Sequence, residues 1–146
     1  MVARLIGFNH VAVEVDDIEE ALAFFGKIFE FELRGRSPKM AFIDAGDQFL
    51  AISEGRTQSP DEHRHIGLVV DDRTGMREAV EEAGGELLAG RGLDFRDPWG
   101  NYWQVVEYGS VQFTKSPEVL LGMNLEGLEK TDEAMEQLRK KGMPPT

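Results

Sequence analysis

Apolar and polar residues alternate along positions 9–17 and again along 64–72, in the runs NHVAVEVDD and RHIGLVVDD. Strict alternation is the period of a strand buried on one face. The runs stand a constant 55 residues apart, so the chain carries an internal repeat. Each run closes on a double aspartate, and an amphipathic segment follows. Asp17 and Asp72 are the predicted N-caps, because a short carboxylate accepts the unpaired first-turn N–H groups. Glu20, three residues past Asp17, completes a capping box. The first helix is predicted to turn Ile18, Ala21, Leu22 and Phe25 inward, with Phe29 extending the stripe. The second is predicted over about 73–83, stopping at Gly84-Gly85, which tolerate the left-handed turn.

Three strand-like runs follow each helix, at about 31–36, 39–44 and 48–54, then at about 86–91, 93–97 and 102–108. The last two of each set are joined by turn sequences, Asp44-Ala45-Gly46-Asp47 and Asp97-Pro98-Trp99-Gly100-Asn101. Beyond the repeat, Ser116 before Pro117 and Thr131 before Asp132 read as caps of two further helices, the second stopped by Gly142 and Pro144. Leu121, Leu125, Leu128, Met135 and Leu138 give this tail an apolar stripe, which reads as packing on its own domain or on a dimer mate. The expectation is one domain over 1–146. Its first module spans about 5–55, its second about 63–108, and its helical tail about 116–142.

Composition narrows the chemistry. No cysteine is present, which removes disulfides, zinc ribbons and thiol nucleophiles. The formal charge of -11 repels phosphate backbones and anionic bilayers, so neither nucleic acid nor membrane is an expected partner. The start has one basic residue and no long apolar stretch, and no window approaches a bilayer span. The expected location is the cytoplasm. No phosphate loop and no nucleophile elbow occurs.

A histidine in the first strand of each of two strand–helix–three-strand units, with an Asp-Pro-Trp-Gly-Asn turn before the last strand, resembles the vicinal oxygen chelate superfamily. That superfamily includes glyoxalase, extradiol dioxygenases and the bleomycin- and fosfomycin-resistance proteins. The resemblance covers about residues 5–108. It implies an α+β fold of two paired βαβββ modules forming a cleft-shaped mixed sheet, plus a C-terminal helical extension. It also implies a divalent metal ion, a small-molecule substrate or ligand, and a homodimer. Metal ligands in the family come from the first and last strand of each module. Carried over position by position, they fall on His10, Ala51, His65 and Gln104. Ala51 offers no donor, which leaves His10, His65 and Gln104 as the metal set and Ala51 as a cleft position.

Strand parity refines the set. Glu14 shares a face with His10 and suits a general base, while Tyr102 shares the cleft face with Gln104. Glu107 falls on the opposite face unless a bulge shifts the register. His63 belongs to the preceding loop, and Trp99 and Trp103 read as packing residues. Arg34, Arg36, Arg91 and Arg96 could fork a substrate carboxylate but read first as solvated surface. Two functions follow from different classes. One is a glyoxalase- or dioxygenase-like metal enzyme that chelates vicinal oxygens of a small oxygen-rich molecule, by lyase, isomerase or dioxygenase chemistry. The other is a metal-free binding protein of the bleomycin-resistance type, which sequesters its ligand in the same cleft.

Overall fold

A computed structural model of the chain describes residues 1–90 and 92–143. The fold is α+β and divides into two compact units, Met1–Thr57 and Gln58–Thr146. The first unit runs β1 (His10–Val15), α1 (Ile18–Gly26), β2 (Leu33–Ser37), β3 (Met40–Ala45) and β4 (Gln48–Glu54). The second runs β5 (Ile66–Val70), α2 (Met76–Ala83), β6 (Glu86–Leu87), β7 (Leu93–Arg96) and β8 (Tyr102–Glu107). A 3-10 turn at Tyr108–Ser110, α3 (Pro117–Gly122) and α4 (Asp132–Lys140) complete it.

Each unit holds one four-stranded mixed sheet, ordered β1-β4-β3-β2 and β5-β8-β7-β6. The first and last strands of each unit pair in parallel, while short hairpins make the other pairs antiparallel. Both units are therefore βαβββ modules, as the repeat predicts. Alternation gives each sheet a helix-side face and an open face. In the first unit Val13, Val15, Ala41 and Ile52 are buried together with Ile18, Ala21, Phe24 and Phe25 of α1. In the second, Leu93, Phe95, Trp103 and Val105 are buried with Met76 and Val80 of α2. Each such large apolar side chain stabilises its unit by roughly 1.5–3 kcal/mol.

Local signals mostly act as the sequence suggests. Asp17 accepts the Glu20 N–H at 2.9 Å, Ser116 and Thr131 cap α3 and α4, and Gly84 ends α2 in the left-handed region. Three expectations need correction. Phe24, not Leu22, joins the buried face of α1, its ring packing edge-on against Phe25 at 5.2 Å. Asp72 does not cap α2. Its carboxylate accepts the Thr74 N–H two residues on, and the helix begins at Met76 behind Gly75 in a left-handed conformation. Finally, β6 is two residues long, because the chain turns back at Leu88, whose N–H donates to the Asp94 carbonyl. In the tail, Leu138 is buried, Leu125, Leu128 and Met135 half-buried, and Leu121 exposed. Arg91 and Pro144 lie outside the described residues.

Candidate functional site

Glu54 and Glu107 fix which residues reach the open faces. They occupy equivalent places at the ends of β4 and β8. The Glu54 carboxylate accepts the Ile18 N–H and the Glu107 carboxylate accepts the Arg73 N–H, both at 3.1 Å. Each anchors the chain that leads from the first strand toward its helix, on the helix side of its sheet. No register shift occurs between β5 and β8. Glu107 is thus committed to the backbone of its own unit, and position 104 faces the other way.

On the open face of the first unit, His10, Ala12 and Glu14 of β1 lie opposite Phe49, Ala51 and Ser53 of β4, and Phe42 of β3 lies opposite Ala51. The His10 imidazole stacks on Phe49, with centroids 4.7 Å apart and planes 10° apart. Its Nδ1 lies 2.8 Å from Asn9 Oδ1. An oxygen there can only accept, so Nδ1 is the donor of this bond, and Nε2 is the nitrogen left to face a ligand. Ala51 is buried at the centre of this face, and Glu14 is half-buried.

The second unit repeats the device with different chemistry around it. His65 precedes β5 directly, and its Nδ1 lies 2.9 Å from the His63 carbonyl oxygen. A carbonyl accepts only, so Nδ1 again carries the proton. The His65 ring sits beside Tyr102, centroids 5.2 Å apart, where His10 has Phe49. Gln104 lies between Gly67 of β5 and Asp94 of β7. Asp94 holds the place that Phe42 holds in the first unit, opposite the residue of the last strand. Its Oδ2 accepts the Tyr102 hydroxyl at 2.6 Å, a bond that holds the phenol above its ordinary pKa. Asp94 is only 6% exposed, and its Oδ1 is buried without a hydrogen-bond partner among the described residues.

The sites predicted from sequence therefore separate into two groups. His65, Tyr102 and Gln104 share the open face of one sheet, while His10, Glu14 and Ala51 share that of the other. Sequence reasoning passed over Asp94 and the His63 carbonyl. Asp94 could have been flagged as an aspartate inside a strand, where its residue type is depleted. Of the four arginines singled out from sequence, the three that are described are tied to protein acceptors. Arg34 meets Asp44 and two carbonyls, Arg36 meets Glu19, and Arg96 meets Glu86 and the Asp61 carbonyl. Trp103 is a packing residue, fully buried, with its indole N–H on Asp97.

Among the described residues, no group of three or more His, Cys, Asp or Glu side chains gathers as a metal cluster, and no helix is long and apolar enough to cross a membrane. The family model described as Glyoxalase/Bleomycin resistance protein/Dioxygenase superfamily matches residues 7–105. A curated relative, the metallothiol transferase FosB of Bacillus licheniformis, is 23% identical over 116 residues, covering 70% of this chain and 75% of that one. Among solved structures, the fosfomycin resistance protein FosX from Mesorhizobium loti superposes with a TM-score of 0.60 at 20% identity, covering 70% of this chain and 92% of that one. FosX from Listeria monocytogenes, complexed with Mn(II) and sulfate, superposes with a TM-score of 0.62 at 20% identity, covering 83% and 99%.

Proposed function

The chain belongs to the Glyoxalase/Bleomycin resistance protein/Dioxygenase superfamily, and from that premise we propose that it is a metal-dependent enzyme acting on a small oxygen-rich molecule. One observation carries this reading. Two imidazoles at equivalent positions of a repeat each have Nδ1 held by an oxygen acceptor, which leaves Nε2 as the ligating nitrogen. That second bond is the usual companion of a metal-ligating histidine, because it fixes tautomer and ring plane. Imidazole nitrogen and the amide oxygen of Gln104 are donor types that suit a divalent first-row ion. Ala51 contributes no donor, which would leave room for substrate oxygens.

A divalent ion held by these residues would supply Lewis-acid polarisation of substrate oxygens. The chain's own residues do the rest. Glu14, on the face of His10, moves the proton as general base. Phe49 stacks on the His10 ring and Tyr102 lies tilted beside that of His65, and both contacts restrict rotation of the imidazoles. Isomerase, lyase and dioxygenase chemistry all fit this arrangement. The relatives' names, a metallothiol transferase and fosfomycin resistance proteins, support a small polar substrate. The same reading makes the protein a homodimer, since Leu5, Ile6 and Phe8 are 78–98% exposed, apolar surface that association would cover.

Elemental analysis of protein purified without chelators tests the proposal. Bound divalent metal that disappears in both His10→Ala and His65→Ala is the expected result. Trace metal unchanged by either substitution would overturn it and favour the metal-free sequestering protein.

A further inference from the structure

Asp94 is costly where it stands. A buried carboxylate oxygen without a partner is rare in a native fold, and it signals either a missing partner or a functional role. Its Oδ2 is used by Tyr102, and its Oδ1 is not used by any described residue. Gly90 and Gly92 stand close to the carboxylate. A Cβ added at Gly90 would lie 3.5 Å from Oδ2, and one added at Gly92 would lie 3.7 Å from Oδ1. Across the sheet, directly opposite, stands Gln104. Its other flank is Gly67, where an added Cβ would meet nothing within 4 Å, so the amide has room to turn.

A glutamine ligand raises two physical problems that a glutamate does not. Its oxygen is uncharged. Its two ends also have nearly the same shape, so an unguided amide presents N–H₂ to a cation as readily as it presents oxygen. A carboxylate behind the amide removes both. It accepts the N–H, which decides the rotamer, and the charged acceptor polarises the amide so that its oxygen gains electron density.

We propose that Asp94 is the positioning residue for Gln104, its unpartnered Oδ1 accepting the Gln104 amide N–H whenever the amide oxygen binds a divalent cation. This rests on the metal reading above and explains how a neutral side chain serves at that position. Negative charge absent from the ligand is supplied one residue behind it, on the neighbouring strand. The orphaned oxygen is then an acceptor kept ready for the loaded state.

The test is a Mn²⁺ titration, followed by electron paramagnetic resonance, of purified full-length protein and four variants. These are Asp94→Asn, Gln104→Glu, the double variant, and Asp94→Ser as a second neutral replacement should the amide fail to fold. Outer-shell partners of metal ligands are typically worth about 10–100-fold in affinity. Asp94→Asn in the otherwise unaltered chain is therefore expected to weaken Mn²⁺ binding by at least about tenfold. In the Gln104→Glu background the same change is expected to cost less than about threefold, because a carboxylate has two equivalent oxygens and needs no partner to orient it. Equal losses in both backgrounds would mean a structural or purely through-space effect of Asp94, and would overturn the inference while leaving the metal reading intact. Absence of Mn²⁺ binding by the unaltered chain, or binding indifferent to His10→Ala and His65→Ala, would remove the metal reading and this inference with it.

Discussion

Replacing Asp97 by Asn changes one oxygen to nitrogen and keeps the shape of the turn before β8. The carboxylate accepts four N–H groups. Oδ1 takes the backbone N–H of Trp99 at 3.0 Å and of Asn101 at 2.9 Å. Oδ2 takes the Asn101 amide at 2.9 Å and the Trp103 indole at 3.0 Å. An amide at 97 can serve the two backbone donors with its oxygen, and Asn101 can turn its own amide to match. The Trp103 indole cannot adapt, being fully buried. One buried donor left unpaired costs about 1–3 kcal/mol, and the remaining bonds lose their charge assistance. Relief of carboxylate burial returns part of this, so the net loss is about 2–3 kcal/mol. With a urea slope near 1.5 kcal/mol/M, the midpoint should fall by roughly 1–2 M, read by tryptophan fluorescence. The pH dependence carries the opposite sign to that of most carboxylates. Burial raises the Asp97 pKa above 3.8, with the hydrogen bonds opposing it. The folded state then holds this proton more tightly than the unfolded one. The group's contribution is therefore complete below 3.8 and is lost as pH rises through the raised value. The stability gap between the unaltered chain and Asp97→Asn should widen as pH falls into that window. A midpoint shift under about 0.3 M at neutral pH would refute the role given to this carboxylate.

Two further perturbations test the fold around the second unit. Gly100 has φ +95°, and a Cβ there would lie 2.7 Å from Pro60 Cα, so Gly100→Ala should cost about 2 kcal/mol or more and lower the melting temperature by roughly 4–8 °C. An unchanged melting curve would mean that the turn and the 60–61 segment separate freely. Lys130 donates to the carbonyls of Tyr108, Val111 and Phe113 at 2.6, 2.9 and 2.6 Å, and its ammonium lies 3.7 Å over the Tyr108 ring. Burial pulls its pKa down while those acceptors hold the charge. Lys130→Met should cost about 2–3 kcal/mol and expose the 108–131 segment to limited proteolysis. Proteolysis at the original rate would count against the staple.

What could be read from sequence follows the range of the forces involved. The bounds of β4 agree with the pattern at both ends, because alternation records a helix-side face packed on α1. The cap at Asp17 was legible because it is a contact over three residues. Asp72 presents the same residue type at the same repeat position and does something else, since its oxygen reaches Thr74 first. Choosing between an Asx turn and a cap needs the backbone angles at Gly75. Asp94 was hidden more thoroughly. In Leu93-Asp94-Phe95-Arg96 it alternates with apolar residues, a pattern that points to solvent, yet it is buried, with Gly90 and Gly92 close to its carboxylate. The histidines were legible as a pair through the repeat. Their tautomers were not, because these depend on an Asn9 side chain and a His63 carbonyl.

The comparison of the two units then separates architecture from chemistry. Where architecture is concerned the halves agree in detail: the Glu54 and Glu107 anchors, the parallel pairing of first and last strand, an imidazole with Nδ1 held beside an aromatic ring. The departures fall on the open faces. Phe42, Phe49 and Ala51 in the first unit correspond to Asp94, Tyr102 and Gln104 in the second. Each of these three replacements exchanges an apolar side chain for one that donates or accepts hydrogen bonds, and all three touch or neighbour one another. Drift on a solvated face would scatter polar changes, and a buried face would resist them because each unpaired polar group costs about 1–3 kcal/mol. The polar replacements are instead contiguous, and one of their oxygens has no partner among the described residues.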